Sequence, residues 1–276
     1  MTRHADTPPT VSELAQRWAD ELDAWAIPDE ILAAAPRSPH GFSVERFASR
    51  ADEARRDGPS TPTSQRAHAL LPAGGTVLDV GCGAGAASLP LAGRAGALIG
   101  VDESEALLDA FADRARREQL RAETVGGRWP DVAGRVPIAD VVVCTHVAYN
   151  VPDIDAFLAA LTAHARRAVL LEATVTHPLS WTAPFWRALH GLERPEGPTS
   201  EHLIALVRAH GRQPRIDRWE QPQRADRPGD DATTFLRRHL CLTADRAEQI
   251  GALLEAHPPP QQRRVVSLAW RAGADQ

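Results

Sequence analysis

Two short stretches hold residues whose types and spacing can do chemistry. In the first, Asp79 is followed by Gly81, Gly83 and Gly85 at alternate positions. Glycine reaches positive φ without steric cost and lets a ligand approach bare backbone. The preceding Val77, Leu78 and Val80 form a β-branched and aliphatic run of buried-strand length. From Ala86 the residues turn to helix formers, which predicts a strand, a glycine loop and a helix N-terminus. Unpaired N–H groups at such a terminus suit a carboxylate or phosphate, so the unit reads as a holder of a nucleotide-like ligand. In the second stretch, Thr145, His146, Tyr149 and Asn150 follow the apolar run Ala139–Cys144. An imidazole three residues before a phenol and four before an amide offers one pocket a base, a hydroxyl and an amide. The competing reading of His146 is a structural histidine bonded to backbone.

What ligand the loop holds depends on the next landmark. Ala97–Val101 reads as a second strand closed by Asp102, and a carboxylate there can accept both hydroxyls of a ribose. Gly81 to Ala86 also fits the dinucleotide pattern G-x-G-x-x-A, so a nicotinamide-dependent oxidoreductase stands as an alternative. No hydride-transfer signature follows it. The string Asp79-x-Gly81-x-Gly83-x-Gly85, with Asp102 beyond, resembles motif I of the class I S-adenosylmethionine-dependent methyltransferases.

That resemblance implies a three-layer αβα sandwich with a seven-stranded, mostly parallel sheet whose last strand is antiparallel. It implies S-adenosyl-L-methionine as cofactor, S-adenosyl-L-homocysteine as product, and a small-molecule methyl acceptor. The cofactor would meet Asp79, Gly81, Cys82, Gly83, Gly85, Asp102, Glu103, Trp129 and Thr145. Catalysis would fall to His146, Tyr149 and Asn150, with oxygen as the methylated atom if His146 removes a hydroxyl proton. The chain also departs from the family. After the third strand an acidic residue usually meets the adenine amino group, whereas this chain has Gly126-Gly127-Arg128-Trp129. Trp129 is left either to stack on adenine or to pack on the preceding helix. An N-P-P-Y type sequence is absent, and so is the acidic metal ligand some relatives carry at the end of strand four. The expectation is a metal-independent enzyme. A catalytically silent relative kept for interaction is a third reading, against which the intact glycines and Asp102 argue.

Composition narrows the classes. The 276 residues are 43% hydrophobic and 24% charged, ordinary for a globular chain. All 31 basic residues are arginine. Without lysine, a P-loop and a Schiff-base mechanism are both excluded. The net charge of −5 supplies no basic field for nucleic acid or an anionic membrane. Cys82, Cys144 and Cys241 are far apart and unpaired in pattern, so neither a disulfide framework nor a zinc site is expected. The polar first residues and the lack of a long apolar run read as a soluble, cytoplasmic protein. The oligomeric state is not readable.

The elements that must position these residues follow in order. Residues 1–62 read as a helical N-terminal cap, with 1–10 disordered, a helix over 11–26 capped at Ser12, a short one over 31–35, and another over 44–56. Leu14, Trp18, Leu22 and Trp25 share one face of the first, as core or as a lid over substrate. Residues 63–276 read as the methyltransferase-like domain with insertions at 173–199 and 221–260. A helix over 105–120 carries Leu107, Leu108 and Phe111 inward, with Arg114, Arg116 and Arg117 on a solvated face. Strands are expected at 122–125, 139–144, 168–171, 214–220 and 264–270, and helices at 155–164, 200–210 (capped at Ser200), 232–240 and 245–256. Trp181, Phe185, Trp186 and His190, on a short helix, read as a substrate wall or as a packed surface helix.

Overall fold

Seven strands form one sheet, its inner strands built from β-branched and aliphatic runs and its two edge strands largely polar. In this computed structural model, residues 8–39, 43–223 and 231–273 are described; the disorder expected for residues 1–7 lies outside them. The strands are β1 (Gly75–Val80), β2 (Ala95–Asp102), β3 (Arg121–Gly126), β4 (Ala139–Thr145), β5 (Ala165–Thr174), β6 (Arg215–Pro222) and β7 (Gln262–Arg271). Their order is β3-β2-β1-β4-β5-β7-β6. The first five pair in parallel, and β7 runs antiparallel to both β5 and β6. This is the sheet that the glycine motif implies. The order reverses between β1 and β4, and the loops at that switch point form the crevice where open α/β sheets bind ligands.

Helices cover both faces. The cap helices are α1 (Val11–Asp23), α2 (Asp29–Ala34) and α3 (Val44–Asp57), followed by α4 (Pro62–Leu70). The rest are α5 (Glu105–Arg117), α6 (Ile154–Ala163), α7 (Ala183–His190), α8 (Ser200–Ala209), α9 (Ala232–His239) and α10 (Ala247–Ala256). Leu14 and Trp18 of α1 bury themselves with α6, α8 and one sheet face; α3, α4 and α5 pack on the other. Two caps differ from expectation. Thr10, not Ser12, caps α1 through a reciprocal capping box with Glu13. Thr199 precedes α8, and Ser200 is its buried first residue.

The helix expected after the glycine loop does not form. Residues after Gly85 make turns and one 3₁₀ segment, Leu89–Leu91, before β2 begins at Ala95. Pro90 has no N–H to continue an α-helix, and the Ser88 hydroxyl is drawn down to buried Asp79 at 2.6 Å. The anion-binding helix N-terminus is therefore absent at this loop. Arg114 is also not solvated: it forms a two-pronged ion pair with Asp52 of α3, both contacts at 2.9 Å. Trp181, Phe185 and Trp186 do not form a wall of the crevice. They join Leu236, Leu240 and Ile250 in a separate apolar cluster to which Ile27 and Ile31 also contribute. Segments from the N-terminal region and from both insertions thus share one small core.

Candidate functional site

The loop after β1 is held by short-range geometry that glycine makes feasible. Gly81, Gly83 and Gly85 have φ of +68°, +51° and +98°. Gly81 and Cys82 donate their amides to the Val101 carbonyl. A Cβ on Gly81 would stand 2.3 Å from Val147, and one on Gly83 would stand 2.7 Å from the Phe47 ring. Asp102 closes the loop from the neighbouring strand, accepting the Gly83 amide at 2.9 Å and the Ser104 amide at 3.0 Å. A carboxylate has about four acceptor sites, so these two bonds leave capacity for a diol.

A cavity of about 700 Å³ opens beside this loop, a volume suited to a cofactor with a small second ligand. One face of α3, from Arg46 and Phe47 through Arg50 and Glu53 to Asp57, lines it along its length. Gly81, Cys82, Asp102, Glu103, Trp129, Thr145, His146 and Asn150 all reach this cavity. Asp79, Gly83, Gly85 and Tyr149 do not line it. Asp79 lies fully buried beneath the loop, where burial pushes its pKa up to about 7 against the Ser88 hydrogen bond. The Cys82 thiol is held far above its ordinary range by burial and the nearby Asp79 and Asp102 charges, which makes it a poor nucleophile. Glu103 pairs with Arg128 at 2.9 Å on the cavity rim. Trp129 is buried with its ring nearly perpendicular to that of His164, and its indole N–H has no partner among the described residues.

His146 sits just past β4 in a left-handed conformation (φ 61°), its amide donating to the Glu172 carbonyl of β5. Its Nε2 lies 3.0 Å from the Glu172 carboxylate and 3.2 Å from an Arg263 guanidinium nitrogen of β7. One nitrogen cannot serve both. With its proton on Nε2 it donates to Glu172, and with its proton on Nδ1 it accepts from Arg263. Glu172 is buried, and its other oxygen accepts the Thr63 hydroxyl of α4 at 2.5 Å. Burial alone would raise this carboxyl, but the His146 and Thr63 hydrogen bonds hold it below its ordinary value, so it is an anion. A buried carboxylate is stabilised by a donor, and the shorter contact is the one to it, which favours the Nε2–H form. Nδ1 then carries the lone pair; it has no hydrogen-bond partner among the described residues.

Tyr149 does not share this pocket. Its ring stacks on Trp18 and its hydroxyl donates to the Thr174 carbonyl, an arrangement in which burial pushes its pKa up. Thr63, Glu172, Gln221 and Arg263, all lining the cavity, were not among the expected site residues. Only Glu172 left a trace in the sequence, as a lone carboxylate directly after the apolar run 168–171. No group of three or more histidine, cysteine or acidic side chains among the described residues is arranged to hold a metal ion.

Residues 77–168, which run from β1 through the glycine loop, Asp102 and β4 into β5, match the family model of a methyltransferase domain. A Haemophilus influenzae protein, described as uncharacterized, is 34% identical over 98 residues. That match covers 35% of this chain and 36% of the relative, so the chain spans about a third of the curated relative's length. Among solved structures, a cyclopropane-fatty-acyl-phospholipid synthase-like protein from Lactobacillus casei superposes with a TM-score of 0.56 at 16% identity, covering 88% of this chain and 98% of that one. The YcgJ protein of Bacillus subtilis superposes with a TM-score of 0.51 at 18% identity, covering 76% and 96%. At these identities the structural likeness speaks for the fold alone.

Proposed function

We propose that the chain is a class I, Rossmann-like S-adenosylmethionine-dependent methyltransferase, as the match of residues 77–168 to a methyltransferase-domain model supports, and that it methylates a small-molecule acceptor at oxygen, with His146 as general base. The observation that carries this reading is the Thr63–Glu172–His146 chain of hydrogen bonds at the cavity wall. A buried carboxylate that engages Nε2–H fixes the imidazole's tautomer and leaves Nδ1 to take a proton. Asp102 is the group suited to a ribose diol, with Gly81 and Cys82 offering backbone at close approach. Trp129, Glu103 and Thr145 border the remaining cofactor space. When bound, S-adenosylmethionine supplies an electrophilic methyl on a sulfonium, whose S–C electron pair returns to sulfur as the acceptor oxygen bonds the carbon. Nδ1 of His146 receives the acceptor's hydroxyl proton, and Asn150, which lines the cavity, orients the acceptor.

Binding and chemistry are tested separately. Calorimetry should show S-adenosylhomocysteine binding and no binding of NADH; the reverse result contradicts the cofactor assignment. With an acceptor found by screening for homocysteine-product formation, His146→Ala should cut turnover by about 10²–10⁴-fold and leave S-adenosylhomocysteine affinity nearly constant. Turnover within a few-fold of the parent at pH 7 would make the histidine structural.

A further inference from the structure

The walls around His146 say more about the acceptor than its hydroxyl. Glu172 and Arg263 touch the imidazole, and Thr63, Thr174 and Gln221 line the same cavity, every one a hydrogen-bonding side chain. Phe157, Val147 and Pro178 line the cavity as well, Phe47 lies on Gly83, and Tyr149 is below the surface with its hydroxyl spent. Against that apolar lining, the groups that touch the imidazole are a carboxylate and a guanidinium, and polar groups of this kind fix a ligand's orientation.

Arg263 is held from its cross-strand neighbour. Gln221 opposes it in the β6–β7 register, and with its side-chain amide turned so that the oxygen faces the guanidinium it accepts from Arg263 Nε at 2.8 Å and Nη2 at 2.7 Å. A guanidinium braced in this way loses little entropy on meeting a planar anion, and its fork matches a carboxylate.

Resting on the methyl-transfer reading, we infer that the acceptor is a small hydroxylated carboxylate whose anionic end is bound by Arg263 while its hydroxyl meets His146. The closeness of Arg263 to His146 Nε2, 3.2 Å, places the two functions of the acceptor only a few bonds apart. It also couples binding to chemistry. A carboxylate drawing Arg263 to itself releases Nε2 from the guanidinium, so the proton stays on Nε2 toward Glu172 and Nδ1 remains the base. The proton leaving the acceptor hydroxyl goes to Nδ1, the new bond is oxygen to methyl carbon, and the sulfonium's S–C bond is the one that breaks.

The experiment is calorimetry on the full chain, with and without S-adenosylhomocysteine, using matched acids and neutral amides: salicylate with salicylamide, and glycolate with glycolamide. At least one acid should bind ten-fold or more tightly than its amide. Arg263→Gln should bring that ratio close to one while S-adenosylhomocysteine affinity and melting temperature hold. Gln221→Ala, which removes only the brace, should weaken acid binding several-fold and provides the comparison if Arg263→Gln fails to fold. Imidazole ¹⁵N shifts of His146 should report the Nε2–H form both before and after the acid is added to the parent. Amides that bind as well as their acids, an acid preference that survives Arg263→Gln, or no binding by any pair overturns the inference. Loss of S-adenosylhomocysteine binding alone would instead overturn the methyl-transfer reading, because the acid–amide comparison is also made without it.

Discussion

Asp79 shows how one residue can serve a loop at a cost to stability. Its carboxyl is fully buried, one oxygen bonded to Ser88 and the other without a partner among the described residues. Burial raises its pKa from 3.8 to about 7, with the Asp102 charge adding to the rise. The unfolded chain releases this proton near pH 4, whereas the folded chain keeps it to about pH 7. Between those values the native state binds more protons, so stability falls as pH rises and levels off above pH 7. Asp79→Asn keeps an acceptor for Ser88 and imitates the protonated form. It should raise stability at pH 8 by at most about 4 kcal/mol and change little at pH 4. Urea unfolding at the two pH values checks this; equal effects at both would place the carboxyl in a wetter site than the one described.

At the scale of elements, α3 decides whether the cofactor space is closed. It roofs the cavity along one face and is fastened to α5 by Asp52 with Arg114 and by Arg55 with Glu118. Arg114 is 11% exposed but Asp52 is 43% exposed, so the pair is partly screened. Asp52→Ala should cost about 1–2 kcal/mol, lower amide protection in α3 ahead of the sheet, and weaken S-adenosylhomocysteine binding. Hydrogen exchange that is unchanged in α3 would mean that the roof is held by packing alone. This fastening also marks where sequence reading stopped. Strands β1, β2, β4 and β5 were legible because parallel strands buried on both faces leave unbroken apolar runs, and the glycine loop because positive φ demands glycine. Arg114 read as solvated because helical spacing says nothing of a helix 62 residues earlier. The helix after Gly85 was misread because composition favoured it while Pro90 and the Asp79–Ser88 bond opposed it. Glu172 and Arg263 were missed as partners of His146 because Thr63, Gln221 and β7 come to it from far along the chain.

At the scale of the whole molecule, the N-terminal helices and the segment after β5 are stitched together along one seam, and that seam is sensitive to acid. Trp25 donates its indole N–H to the Gly197 carbonyl at 2.7 Å, and Arg194 donates to the Ala24 and Ala26 carbonyls while lying over the Trp186 ring. His177 sits in the middle, stacked on Trp25 at 4.2 Å and edge-on to Tyr149 at 5.4 Å. Burial, with the nearby His239 charge adding, pushes its pKa down to about 3, so it is neutral in the fold. The unfolded chain takes up this proton near pH 6.5, and the folded chain only near pH 3. Within that window the unfolded state binds more protons, so the stability present above pH 6.5 is lost as pH falls. By pH 4 the loss from this one group is about 3 kcal/mol. Because Tyr149 follows His146 by three residues, loosening the seam also unsettles the loop that holds the proposed base. His177→Phe keeps both ring contacts and removes the titration. It should flatten the decline between pH 6.5 and pH 4, with a neutral-pH penalty of about 1 kcal/mol for the lost acceptor of the Leu179 amide. Tryptophan fluorescence of Trp25 and Trp18 during acid titration should change before far-ultraviolet circular dichroism in the parent and together with it in the variant. Coincident transitions in the parent would show that the seam and the sheet yield as one unit, and that His177 is not where acid enters.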